Sequence, residues 1–298
     1  MKYKYIYFTI SGIFLLISIF SLLSWKIRLG VDFTGGSVFN YRFSKEFDNS
    51  QIEKVFEDIG VTNIDIETGD GKQFTIKTSA VTQADKSKLE EELKNIDKDI
   101  AELSYEVVGP AIGPELIQKT IYALLLSAGV ILLWVAYQFR NIRFGLAAVL
   151  AMFHDSLVLL GAFSLMGHFW GVEVDFLFVT AMLTILAFSV HDTIVVFDRI
   201  REVRKKTSEG ISKIADSAVT QTMVRSLNNS FTIIFMLVAL VLLGGDSIRW
   251  FAVALLIGTI SGTYSSPFVA VPLLVTFSDM KKVNLNFIGK YLFKKKGY

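Results

Sequence analysis

The chain has 298 residues, of which 52% are hydrophobic and only 19% charged, and its mean hydropathy is +0.49. Soluble domains carry about 25% charged residues, and a chain of this size has too little interior to hide so many apolar side chains. Composition therefore argues against a soluble enzyme and for lipid as the remaining solvent. The 30 Lys and Arg nearly balance the 28 Asp and Glu, which implies no acidic partner, and with no cysteine there are no disulfides, thiolate metal sites or Cys nucleophiles.

Six apolar runs follow one another: Tyr5–Trp25, Ile121–Phe139, Phe144–Leu165, Phe176–Phe197, Leu227–Leu243 and Trp250–Phe277. About 20 apolar residues cross the hydrocarbon of a bilayer as a helix. The runs are apolar on every face, whereas barrel strands alternate, so six transmembrane helices are expected. The fifth run is short and polar at its start (Asn228, Asn229, Ser230). The first has a basic start at Lys2 and Lys4. It is too long for the apolar core of a signal peptide and is followed by Ser24-Trp25-Lys26 rather than a small-residue cleavage site, so a retained anchor is expected.

Between the first two runs lies a polar segment that reads strand (37–43), helix (50–59), strand (63–67), strand (73–78), helix (83–96), strand (101–108). Ile52, Val55, Phe56 and Ile59 make one helical stripe, and Gly69-Asp70-Gly71 supplies a hairpin turn between the middle strands. This βαββαβ order is that of a ferredoxin-like unit. The segment carries an acidic excess, which argues against binding nucleic acid or anionic lipid through bulk charge. The expected organisation is thus a first span over 1–25, an extracytoplasmic ferredoxin-like α+β domain over 26–115, a five-helix bundle over 116–280 and a basic tail over 281–298.

Basic residues set the orientation. Lys2 and Lys4, Arg140 and Arg143, the run from Arg199 to Arg225, and the tail lysines all fall on one side, and the opposite short loops hold only Arg249. Both termini are therefore expected in the cytoplasm, with the domain outside. Glycines and prolines bracket that domain: Gly30, Gly35 and Gly36 before it, Gly109, Pro110, Gly113 and Pro114 after it. Two Gly-Pro steps stop a helix and fix turns, so Gly35, Gly36, Gly109, Pro110, Gly113 and Pro114 read as a stiff linker or as a hinge.

The residues that carry chemistry are the charges inside the apolar runs. Asp155 lies near the middle of the third and Asp192 three-quarters along the fourth, each after a histidine (His154, His191). An ionisable side chain at mid-bilayer costs roughly 2.5–3.5 kcal/mol on insertion scales, and low dielectric favours the neutral form of a carboxylic acid. Asp192 and Arg199 are seven residues apart, on one helix face and about 10.5 Å along the axis, and His191 and Asp198 repeat the spacing on the next face. Asp155, Asp192 and Arg199, with His191 and Asp198 beside them, are the candidate proton relay. The alternative is that these groups only hold helices together. No HExxH, nucleophile elbow or complete phosphate loop occurs, so neither a catalytic centre, a metal nor a cofactor is expected. Pro267 and Pro272 should kink the last run, with Tyr264, Ser265 and Ser266 placed to satisfy the freed carbonyls, and Gly258 and Gly262 permit a close helix contact.

Seven stretches, in order, carry a family resemblance: Gly30-Val-Asp-Phe-Thr-Gly-Gly36, Val108-Gly-Pro-Ala-Ile-Gly-Pro114, Phe139-Arg-Asn-Ile-Arg-Phe144, His154-Asp155, Asp192-Thr-Ile-Val-Val-Phe-Asp-Arg-Ile-Arg-Glu202, Arg225-Ser-Leu-Asn-Asn-Ser230 and Gly262-Thr-Tyr-Ser-Ser-Pro267. Together they cover nearly the whole chain, which resembles the SecF branch of the SecD/SecF family of protein-export membrane proteins. The resemblance implies six helices with an external domain after the first, a membrane half akin to the RND transporters, and pairing with SecD. It further implies use of the proton gradient to pull translocating unfolded polypeptide from the SecYEG channel, at the cytoplasmic membrane and among its lipids. Asp155 and the Asp192/Arg199 region would be this chain's half of the proton path, opposite an Asp of SecD. The chain departs from the family pattern at Ala187-Phe188-Ser189-Val190-His191-Asp192, where Gly-Tyr-Ser-x-Asn-Asp is usual, and at Asn229, where Thr is usual. Two other functions fit the same residues: a non-catalytic, partner-binding scaffold, and an RND-like half-transporter of a small lipophile.

Overall fold

The computed structural model describes residues 4–69, 72–109 and 112–279. The basic tail, Lys2, Asp70, Gly71 and Pro110 lie outside these residues. The chain divides into two compact units, one over Leu29–Ile121 and the other formed by the helices before and after it.

The first unit opens with a one-turn helix, α2 (Val31–Thr34), absent from the sequence reading, and continues β1 (Gly36–Arg42), α3 (Asn49–Asp58), β2 (Asp65–Thr68), β3 (Gln73–Thr78), α4 (Gln83–Ile96) and β4 (Ala101–Val108). Its sheet is antiparallel throughout in the order β2-β3-β1-β4, the ferredoxin-like topology. Phe39, Tyr41, Phe43, Phe74 and Ile76 on one sheet face bury against Ile52 and Phe56 of α3 and Leu89 and Leu93 of α4. Thr82 caps α4 by accepting from the Asp85 amide at 3.3 Å. Asp97, at the other end of α4, accepts from the Ser44 amide at 2.6 Å, the Ser44 hydroxyl at 2.8 Å and the Asp99 amide at 3.1 Å. The Ser44 amide is the main reason its carboxyl is held below the usual carboxylate range.

The second unit contains α1 (Lys4–Ser24), α6 (Ile142–Trp170), α7 (Phe176–Lys206), α8 (Ile211–Leu243), α9 (Asp246–Ser265) and α10 (Val271–Asp279); α5 (Ile112–Phe139) leads into it from the first. Among the described residues, six helical spans are long and apolar enough to cross a membrane, the last running through α9 and α10 over Ile248–Ser278. The chain is a multi-pass membrane protein. Where the fifth apolar run suggests a short helix from Leu227, α8 begins sixteen residues earlier, because Ile214, Ala215, Ala218 and Val219 form a buried stripe on its polar first half. Likewise Gly113 and Pro114 do not stop a helix but sit in the first turn of α5, where proline's missing N–H has no partner to lose.

Small residues set the helix contacts. A side chain at Gly161 of α6 would meet Ser18 of α1 at 2.3 Å, and one at Gly145 would meet the Leu132 carbonyl of α5 at 2.6 Å. Trp25, just beyond α1, stacks on His168 of α6 with ring centroids 4.5 Å apart. The expected break in the last span is a π-helical turn, Ser266–Ala270, containing Pro267. A proline cannot donate to the helical ladder; just before it, the Ser266 hydroxyl also donates to the Gly262 carbonyl, at 3.1 Å.

Candidate functional site

Asp155 is the centre of the bundle's polar interior. It is fully buried on α6, and side chains from three helices converge on it. Ser261 of α9 donates to Oδ1 at 2.6 Å. Ser189 of α7 and Ser265 of α9 donate to Oδ2, each at 2.6 Å. His154 Nδ1 lies 3.1 Å from Oδ1. The approach depends on glycine: α7 and α9 run side by side, and a side chain at Gly258 would strike Ile185 at 2.2 Å while one at Gly262 would meet Ser189 at 3.0 Å. One turn on, the Thr193 and Ser266 hydroxyls pair at 2.9 Å. The glycine pair thus draws α9 close enough to α7 for both helices to reach the carboxylate on α6.

Asp192 sits one turn beyond Ser189, 6% exposed, and its Oδ2 accepts from Ser226 of α8 at 2.7 Å. The two carboxylates are therefore joined through a common face of α7, Ser189–Asp192–Thr193. Arg199 is not brought to either. It is half-buried and bonded to Gln221 of α8 at 2.6 Å and to Glu202 on its own helix. His191 and Asp198 are exposed, and Asp198 faces Arg201 at 3.9 Å. Of the five relay candidates, Asp155 and Asp192 are buried in one polar network, and Arg199, His191 and Asp198 lie at its margin.

The bracket around the ferredoxin-like domain is packed, not loose. Gly35 and Gly36 have φ of +74° and +148°, backbone that L side chains rarely adopt. Gly36 pairs with Val108 in the sheet, and a side chain there would strike the Thr78 carbonyl at 2.4 Å. A side chain at Gly113 would overlap the Phe33 carbonyl at 2.2 Å. The two ends of the domain therefore meet inside one unit. Gly109 follows β4 directly, and Pro114 is in the first turn of α5.

The sequence reading missed the hydroxyls. Ser261 and Ser265 stand four apart in an apolar run, and Ser189 lies one turn before Asp192; two hydroxyls at helical spacing facing a mid-membrane acid was the available signal. It also placed Arg225 in a cytoplasmic loop. Arg225 lies within α8, exposed, directly before the serine that holds Asp192. Around Asp155 the donors are three alcohols and an imidazole, a set suited to holding or exchanging a proton on a carboxyl group.

A six-span bundle that seals a carboxylate among hydroxyls, in one chain with a ferredoxin-like domain, defines a polytopic membrane protein organised around a buried acid. Residues 88–280 match the family described as protein export membrane protein SecD/SecF, C-terminal, and residues 20–46 match the SecD/SecF GG motif. The chain belongs to the SecD/SecF family of protein-export membrane proteins. It is 38% identical to the protein translocase subunit SecF of Thermobaculum terrenum, over 94% of this chain and 93% of that one. It is 35% identical to SecF of Haemophilus influenzae, over 91% and 83%. It also matches the crystal structure of SecDF, a translocon-associated membrane protein from Thermus thermophilus, with a TM-score of 0.81 at 30% identity, covering 94% of this chain and 39% of that one. The chain thus spans about two-fifths of the solved SecDF.

Proposed function

We propose that this chain is the SecF half of a pair with SecD that uses the proton gradient to promote export of unfolded polypeptide through SecYEG. In this reading both termini face the cytoplasm and the ferredoxin-like domain faces outward. The observation that carries it is Asp155: a carboxyl group with no exposure, surrounded by hydroxyls that can turn from donor to acceptor as it takes up or loses a proton. The exposed Arg225 and His191 beside the Asp192–Ser226 bond give this reading a face for SecD. A cation on the outside of a membrane helix calls for a counter-charge, which a carboxylate of SecD would supply. Lipid would cover the exposed apolar faces of α1 and α5. The Gly35, Gly36 and Gly113 contacts would act as a packed joint, and Arg199 and Asp198 would mark the cytoplasmic mouth of the path.

The energetics suffice for switching. One proton crossing 100 mV supplies about 2.3 kcal/mol, which biases a two-state equilibrium about fiftyfold. The test is Asp155→Asn in the full chain, co-assembled with SecD and SecYEG in vesicles. Gradient-dependent stimulation of export should vanish while assembly persists. Undiminished stimulation would contradict the proposal.

The same network favours a second reading, since Asp155 ties α6, α7 and α9 together. A pure scaffold predicts the opposite result for this variant: weaker co-purification with SecD, and full stimulation from the complex that remains.

A further inference from the structure

Among the described residues His154 is the one nitrogen base in the buried network, and holding Asp155 in place does not require it. Three hydroxyls already bond the carboxylate at 2.6 Å. The ring is only 5% exposed, and among the described residues its Nε2 is a buried polar atom with no hydrogen-bond partner. A buried, unsatisfied nitrogen carries a penalty that an apolar side chain of the same size would avoid. Nδ1 faces Asp155 Oδ1 at 3.1 Å, so the imidazole touches the acid with one nitrogen and presents the other away from it. The ring lies beside Tyr264 of α9, centroids 6.4 Å apart. The Tyr264 hydroxyl is engaged with α1, 3.2 Å from Ser11 Oγ and donating to the Tyr7 carbonyl at 3.2 Å.

We propose that His154 and Asp155 form one proton-sharing pair, with Nε2 of His154 as the port through which the proton enters and leaves. This rests on the proton-coupled reading of Asp155 and adds to it the residue that hands the proton on. Loading begins with the carboxylate facing the Nδ1–H form of the ring. When the bundle switches shape and water reaches Nε2, a proton binds there and makes an imidazolium against the carboxylate. The Nδ1–H bond then breaks as an O–H bond forms on Oδ1, leaving a neutral acid beside a neutral Nε2–H ring. One proton is gained and no electrons move. A charged pair and a neutral pair carry the same net charge, so the shift inside the pair leaves no uncompensated charge in the bundle. Of the other titratable side chains on the helices packed against α6, Tyr264 on α9 lies beside the ring and bonds to the Tyr7 carbonyl on α1, and Asp192 and His191 on α7 stand within one turn of Ser189; α1 also carries Lys4 and Tyr5, α9 Asp246 and Arg249 at its start, and α7 the charged residues from Asp198 to Lys206 at its end.

The chain has three histidines, so ring ¹⁵N signals in the full chain, reconstituted with SecD in lipid, are assignable by single substitution. The His154 signal should change with pH, and Asp155→Asn should displace that change. In SecYEG vesicles, His154→Gln should assemble normally, reduce gradient-dependent stimulation by about tenfold or more, and flatten its pH profile. A His154 signal indifferent to Asp155→Asn overturns the proposal, and so does a His154→Gln variant with full stimulation and an unchanged profile. If Asp155→Asn itself keeps full stimulation, the proton-coupled reading fails as well. If Asp155→Asn loses stimulation and His154→Gln does not, only the pair fails.

Discussion

The two units each bury a carboxylate, and they hold it in opposite ways. In the ferredoxin-like domain Asp97 is fixed by two backbone amides and one hydroxyl, all next to it in the Ser44 and Asp99 loops. A backbone N–H can only donate, so this arrangement favours a charged carboxylate over the acid. In the bundle Asp155 meets three hydroxyls and an imidazole, every one able to donate or accept. The first environment locks a charge; the second tolerates both protonation states. The same residue type is thus a staple in one unit and, in the proposed reading, an exchangeable group in the other, and the donors rather than the acid make the difference.

The largest effect should come from removing the exchangeable proton: Asp155→Asn keeps the shape and loses gradient-dependent stimulation altogether. Next, the close contact that builds the hydroxyl cage can be forced open. Gly258→Val places atoms where Ile185 already stands, and overpacking of this kind costs about 1–3 kcal/mol. Thermal unfolding of the full chain in lipid should show the loss, and co-purification with SecD should weaken. Thinning the cage without opening it should do less. Hydroxyl bonds between membrane helices average about 0.6 kcal/mol, so Ser261→Ala with Ser265→Ala should cost about 1 kcal/mol. Part of the stimulation should survive, measured in the same vesicles.

The fold was more legible than the site. β3, where Phe74 and Ile76 alternate with polar residues, has the bounds read from the sequence, and so do α4 and β4; a half-buried strand writes its period into the sequence. The start of α8 was illegible, since a helix with a narrow buried stripe and an otherwise polar surface looks polar to a search for apolar runs. Asp155 and Asp192 were found because a charge in an apolar run stands out. Ser189, Ser261 and Ser265 were not, because serine is unremarked in any helix and its meaning comes only from what lies across the interface. Arg199 was paired with Asp192 on helical spacing alone, and α8 supplies Gln221 instead.

Smaller effects test the other side of the comparison. Asp97 has a depressed folded value, so its contribution to stability is present above the unfolded carboxylate range and is lost as pH falls through the lower folded value. Asp97→Asn should therefore destabilise the domain at neutral pH and much less in acid, read by amide exchange of α4 and β1 in the full chain. An equal loss at both pH values would show that Asp97 is not held charged. Least of all, Lys77→Met removes a surface pair with Glu67 at 2.7 Å and should change stability by under ~1 kcal/mol.

The most direct measurement is the infrared carboxyl band of Asp155 in the full chain with SecD, compared between acid and alkaline buffers and against Asp155→Asn. A carboxylic-acid signal that disappears on going from acid to alkali, and is missing from the variant, is the predicted result. A signal that does not change with pH would contradict the account and leave Asp155 as a fixed bracket between helices.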